Sequence, residues 1–186
     1  MHLNRILLIL ALGIQIVSAH PAQIILLRHA EKPLNQREVH LSAQGRQRAV
    51  ALVPFLTTTP ALVTNGLPVA LFATRPTRHD HSRRPYETLT PLAQHLRLRI
   101  QTPYPAAGYA ALAERILADP AYDGKTVVVC WVHTHLPALA KALGVRAKVP
   151  SWPGGVYDRV WVITYQGTEA SFSSLPQALL PGDSTR

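Results

Sequence analysis

Two short apolar runs in this chain end in histidine. Residues 24–27, Ile-Ile-Leu-Leu, lead into Arg28-His29, and residues 127–132, Val-Val-Val-Cys-Trp-Val, lead into His133. Runs of this length and composition suit strands buried on both faces. In an open parallel sheet, ligands collect beyond the C-terminal ends of the strands. If these two strands are neighbours, both imidazoles and the Arg28 guanidinium meet at one rim. More cations arrive with Arg75, Arg78, Arg83 and Arg84, after a third apolar run and ahead of a helical pattern whose N-terminus also favours an anion. Two histidines and several arginines with few carboxylates nearby describe a grip on a phosphate dianion, because cations oppose its charge and N–H groups satisfy its oxygens.

Two other chemistries fit some of the same residues. His79-x-His81 and His133-x-His135 are spaced to chelate zinc, which would make a metal-dependent hydrolase. Against this, Asp80 is the only carboxylate close to either pair, and no Asp-His continuation follows His135. The net charge of +9, with fifteen of nineteen cations arginine, also suits a non-catalytic polyanion-binding protein. Only 6% aromatic residues and no recognisable nucleic-acid module argue against nucleic acid as the partner. Cys130, inside its apolar run, reads as a small buried hydrophobe.

The elements that must position these residues alternate in type. Residues 23–27 form the first strand. Ser42 is a plausible N-cap, and Ala49, Leu52, Val53 and Leu56 then share one helical face, with Pro54 expected to bend or end the helix early. Residues 69–73 read as a second strand, followed by a helical stripe at Leu89, Leu92, Ala93 and Leu96. Leu98 and Ile100 suggest a brief third strand, and Tyr109, Leu112, Ala113, Ile116 and Leu117 mark another helix. Residues 125–132 are the strongest strand, rich in Val and Trp. A helix at 137–143, opened by Pro137 and closed by Gly144, and a last strand at 160–165, expected at a sheet edge, complete the pattern. The stretch 149–155 is a loop, and the tail after Ser173 is expected to be loosely held. Strands separated by helices imply βαβ units: a single three-layer α/β domain with a mainly parallel central sheet and helices on both faces.

At 186 residues, 47% hydrophobic and 16% charged, the chain is neither a disordered polymer nor a coiled coil, and one domain fits its length. Residues 1–19 have the form of a secretory signal peptide: Arg5, an apolar stretch over 6–17, then Val17-Ser18-Ala19. Cleavage before His20 would leave a domain of residues 20–186, periplasmic or secreted. The apolar stretch is too short for a stable membrane span, and no other is long enough. Cys130 is the only cysteine, so core packing rather than disulfides must hold the exported domain together.

Four segments resemble the histidine phosphatase superfamily, which has a phosphoglycerate-mutase-like fold. Leu26-Leu27-Arg28-His29-Ala30-Glu31 is similar to its Arg-His-Gly motif, with Ala30 in place of the usual Gly. Residues 41–49, Leu-Ser-Ala-Gln-Gly-Arg-Gln-Arg-Ala, resemble its helix-opening Leu-Thr-x-x-Gly-x-x-Gln-Ala. Arg84-Pro85-Tyr86-Glu87-Thr88 resembles Arg-Ala-x-Gln-Thr, and residues 129–137 resemble its second-histidine strand. The resemblance implies a metal-independent phosphomonoesterase that needs no cofactor. It makes His29 the nucleophile that accepts the phosphoryl group, and Arg28, Arg84 and His133 the clamp on its oxygens. His133 is preferred to His135 as the second histidine. The superfamily's usual leaving-group acid has no counterpart after His133, where Thr134 stands; His135 and Glu31 are candidates for that acid and for contact with substrate, and Arg75 for contact with substrate. The expected substrate is small and phosphorylated, and an exported location suggests a sugar phosphate or the phosphate of a surface glycolipid.

Overall fold

The computed structural model describes residues 20–184 except 36, so the expected signal peptide at 1–19 lies outside the described residues. In chain order the elements are β1 (Gln23–Arg28), α1 (Ala43–Thr58), α2 (Pro60–Val63), β2 (Pro68–Ala73), α3 (Arg84–Leu96), β3 (Ile100–Gln101), α4 (Tyr109–Ala118), β4 (Thr126–Trp131), α5 (Leu136–Ala142), β5 (Arg159–Gln166) and β6 (Glu169–Pro176). The strands form one sheet in the order β3-β2-β4-β1-β5-β6. The first four are mutually parallel, whereas β5 runs antiparallel to both β1 and β6.

Burial explains why β1 and β4 are apolar at successive positions. Ile24 and Leu26 of β1, with Val127, Val129 and Trp131 of β4, pack against Leu112, Ile116, Leu136 and Leu139 of α4 and α5. The alternate residues Ile25, Leu27, Val128 and Cys130 face Leu52, Leu56, Leu89 and Leu92 of α1 and α3. A central strand covered on both faces has no position at which a polar side chain would meet water. The expected three-layer architecture with a mainly parallel sheet is present.

Three local expectations are corrected. Helix α1 runs past Pro54 to Thr58. The carbonyl left without an N–H partner belongs to Val50, which is 62% exposed, so water can satisfy it. Strand β5 is neither last nor at the edge, because Gly167, at φ 59°, turns the chain into β6, which covers β5 along its whole length. The tail is held rather than loose. Gln177 donates from its backbone to Asp158 O and from Nε2 to Arg159 O, and Asp183 is paired with the buried Arg48.

Candidate active site

The register Leu27↔Cys130 and Arg28↔Trp131 brings the ends of β1 and β4 side by side. His29 N–H still donates to Trp131 O at 3.3 Å, so the chain leaves the sheet immediately after the nucleophile candidate. Ala30 N–H then donates to Thr88 Oγ1 at 2.9 Å, while the Thr88 hydroxyl donates to Arg84 O at 2.7 Å. One fully buried hydroxyl thus ties the β1 exit to the first turn of α3. Ala30 does not occupy the left-handed region, and its methyl packs against Leu41 and Ala49, so nothing at this position requires glycine.

The next turn is set by α1. Ser42 caps the helix by accepting from Gly45 N–H at 3.0 Å, and Ser42 N–H donates to Glu31 O at 3.0 Å. The closeness explains Gly45, because a Cβ there would lie 2.4 Å from Glu31 O.

His29 is 5% exposed. Its Nδ1 lies 2.8 Å from Ala30 O. A carbonyl can only accept, so Nδ1 carries the proton and Nε2 keeps its lone pair. Burial above all, reinforced by the positive charges of Arg28 and Arg84 and by the neighbouring His133, pushes the imidazole down to about 3. The ring is therefore neutral near pH 7, as a nitrogen nucleophile must be.

Arg28 is held from one side. Its Nη1 donates to Gly154 O at 2.7 Å and Val156 O at 3.0 Å, its Nη2 to the Tyr157 hydroxyl at 3.2 Å, and its guanidinium carbon lies 3.9 Å from the Tyr157 ring centroid. Trp152 Nε1 donates to Val156 O at 2.9 Å, which fastens this strap. Burial and the nearby Arg84 lower the Arg28 pKa, opposed by Tyr157 and Glu31. Arg84, at the start of α3, donates from Nη1 to Glu38 O at 2.7 Å. The Nε–H groups of Arg28 and Arg84 are both buried without a protein acceptor. Two cations held close together, with donors to spare, make a seat for a multivalent anion.

His133 lies on the same rim, with the backbone of Gly154 beside it; a Cβ there would be 3.6 Å from His133 Nε2. Burial, Arg28 and Lys32 lower its pKa. The second imidazole is thus biased toward neutrality until an anion arrives, and is not a standing cation. His135 turns elsewhere: its ring centroid is 5.6 Å from that of Tyr109, and Nδ1 is 3.2 Å from Thr134 Oγ1. Glu31 is 8% exposed and its Oε1 accepts from Arg48 Nε and Nη2 at 2.9 and 2.7 Å. Arg75 is exposed, with its backbone N–H on Tyr104 O. His79 and His81 are exposed, and among the described residues no three His, Cys, Asp or Glu side chains come together as metal ligands.

The geometry brings together Arg28, His29, Arg84 and His133. It adds Tyr157, the carbonyls of Gly154 and Val156, and Thr88, for which the sequence motifs imply no role. The aromatic residues Trp152 and Tyr157 in a Pro- and Gly-containing loop were the available signal.

The same arrangement of sheet and helices is found in solved structures. A mycobacterial glucosyl-3-phosphoglycerate phosphatase in complex with inorganic phosphate superposes with a TM-score of 0.50 at 16% identity, over 82% of this chain and 95% of that one. The alpha-ribazole phosphatase of Shigella flexneri gives 0.52 at 13% identity, over 83% and 96%. The chain has the histidine phosphatase fold. No family model matches the sequence, and no curated protein matches it. Within this fold, Arg28 and His29 lie at the end of β1, His133 just beyond β4 and Arg84 at the start of α3.

Proposed function

We propose that this protein is an exported phosphomonoesterase that works through a covalent phosphohistidine on His29. The observation that carries the reading is the state of that residue: a buried, neutral imidazole with Nδ1–H engaged by Ala30 O and Nε2 free, among Arg28, Arg84 and His133.

The reaction follows from these groups. Arg28 and Arg84 seat the phosphoryl oxygens, and the dianion draws His133 toward its protonated form, which adds a third positive donor. His29 Nε2 attacks phosphorus in line, the ester oxygen departs, and water then attacks the phosphohistidine to release inorganic phosphate. Catalysis comes from position and charge, with no step that calls for a metal. The substrate class is a small phosphorylated molecule, and export favours a sugar phosphate or the phosphate of a surface glycolipid.

Hydrolysis of 4-nitrophenyl phosphate in excess EDTA, with His29→Ala as the paired control, tests the reading. Turnover that survives chelation and disappears in the variant is expected. Turnover that needs added zinc, or that persists in His29→Ala, would overturn it.

A further inference from the structure

The histidine phosphatase reading leaves the proton for the departing oxygen without a donor. The two carboxyl or imidazole groups closest in sequence to the site are engaged elsewhere: Glu31 with Arg48, and His135 with Tyr109 and Thr134. Thr134 is exposed just ahead of α5 and, as an aliphatic alcohol, is too weak an acid.

Tyr157 is a further proton donor, beside Arg28 and His29. Its hydroxyl oxygen accepts from Arg28 Nη2 at 3.2 Å. A phenol that accepts one hydrogen bond still has its own proton to give. Its ring centroid lies 6.2 Å from that of His29, with the two planes 53° apart. Tyr157 also borders a polar recess of about 500 Å³ that it shares with Glu31, Arg48, Gly155 and Asp158. It is thus a side chain that touches the phosphoryl-binding arginine, neighbours the nucleophile and borders an open recess.

We propose that Tyr157 is the general acid of the first step and the general base of the second. This assignment rests on the phosphohistidine reading given above. In the first step the His29 Nε2–P bond forms and the P–O ester bond breaks. The leaving oxygen takes the Tyr157 proton, and the phenolate left behind is compensated by the Arg28 guanidinium 3.2 Å away. In the second step a water attacks phosphorus, the phenolate takes the water's proton, the N–P bond breaks, and His29 and Tyr157 return to their starting states. No oxidant, reductant or further reactant is required.

The experiment compares the full-length wild type with Tyr157→Phe on two esters, 4-nitrophenyl phosphate, whose leaving group departs without a proton, and glucose 6-phosphate, whose alkoxide must be protonated. The readout is the ratio of kcat/KM for the alkyl ester to that for the aryl ester, which cancels any common effect of a displaced Arg28. The ratio is expected to drop about 100-fold in Tyr157→Phe, the low end of what a positioned acid supplies. Near-UV circular dichroism checks that the variant keeps its packing. An unchanged ratio, whether or not both rates fall, overturns the assignment of Tyr157 and leaves the phosphohistidine reading intact. A wild type inactive on both esters, or turnover retained in His29→Ala, overturns that reading and the assignment with it.

Discussion

Lowering the pH from 7 to 5 should cost the wild-type protein about 2 kcal/mol more stability than it costs His29→Asn. In the unfolded chain an imidazole titrates near 6.5, whereas in the fold His29 is held down to about 3. A folded pKa below the unfolded one means that the unfolded state binds protons first. The stabilising contribution is therefore complete above the unfolded value and is lost progressively as the pH falls from 6.5 toward 3. At pH 5 protonation favours the unfolded state by about 30-fold, and at 1.36 kcal/mol per factor of ten this is about 2 kcal/mol. Asparagine removes the titration and keeps an N–H donor for Ala30 O. His133 shifts in the same direction but is common to both proteins. Asp183, which its hydrogen bond with Arg48 holds down to about 2, loses its contribution only below the ordinary carboxylate range, outside this window. Urea unfolding at pH 7, 6 and 5 gives the two profiles. Profiles that run parallel from pH 7 to 5 would refute the neutral, buried state of His29.

Three more outcomes follow from the packing around the site. Arg48 is 2% exposed in its side chain and carries both Glu31 and Asp183; Arg48→Met leaves two buried carboxylates facing each other and should cost about 3 kcal/mol, read from urea midpoints. Thr88→Val removes the acceptor for Ala30 N–H and should lower stability by roughly 1–3 kcal/mol and kcat/KM as well, because His29 loses its anchor to α3; stability without loss of kcat/KM would contradict the positioning role. Gly45→Ala forces a Cβ against the Glu31 backbone and should cost roughly 1–3 kcal/mol in thermal or urea unfolding, whereas the reverse exchange Ala43→Gly on the same turn, at an exposed position, should cost less than about 1 kcal/mol.

Much of this architecture is legible in the sequence because burial on both faces leaves a strong mark. Ile24 to Leu27 and Val127 to Trp131 have no polar interruption, and the histidines that end them fall at the rim for that reason. Arg84 was legible because Pro85 marks a helix start directly behind it. Strand β6 leaves little mark in the sequence, since Glu169, Ser171, Ser173 and Ser174 are weak strand formers, and it exists because β5 offers it a complete ladder. The strap over Arg28 was illegible in a different way. Its contribution is made by the backbone carbonyls of Gly154 and Val156, which any residue type supplies. Only the tertiary path that lays residues 153–157 beside β1 reveals them, together with Tyr157. The Arg48 pairing joins positions 135 residues apart, so a local pattern carries no trace of it.

The most direct test of the central claim is to quench the protein during turnover of an aryl phosphate and locate the transferred phosphoryl group by peptide mass spectrometry under alkaline conditions that preserve phosphohistidine. An acid-labile, base-stable phosphoryl group on the peptide containing His29, absent from His29→Ala, is the predicted result. A phosphoryl group on His133 or any other side chain, or turnover that proceeds with none trapped in a protein whose activity requires added metal, would contradict it.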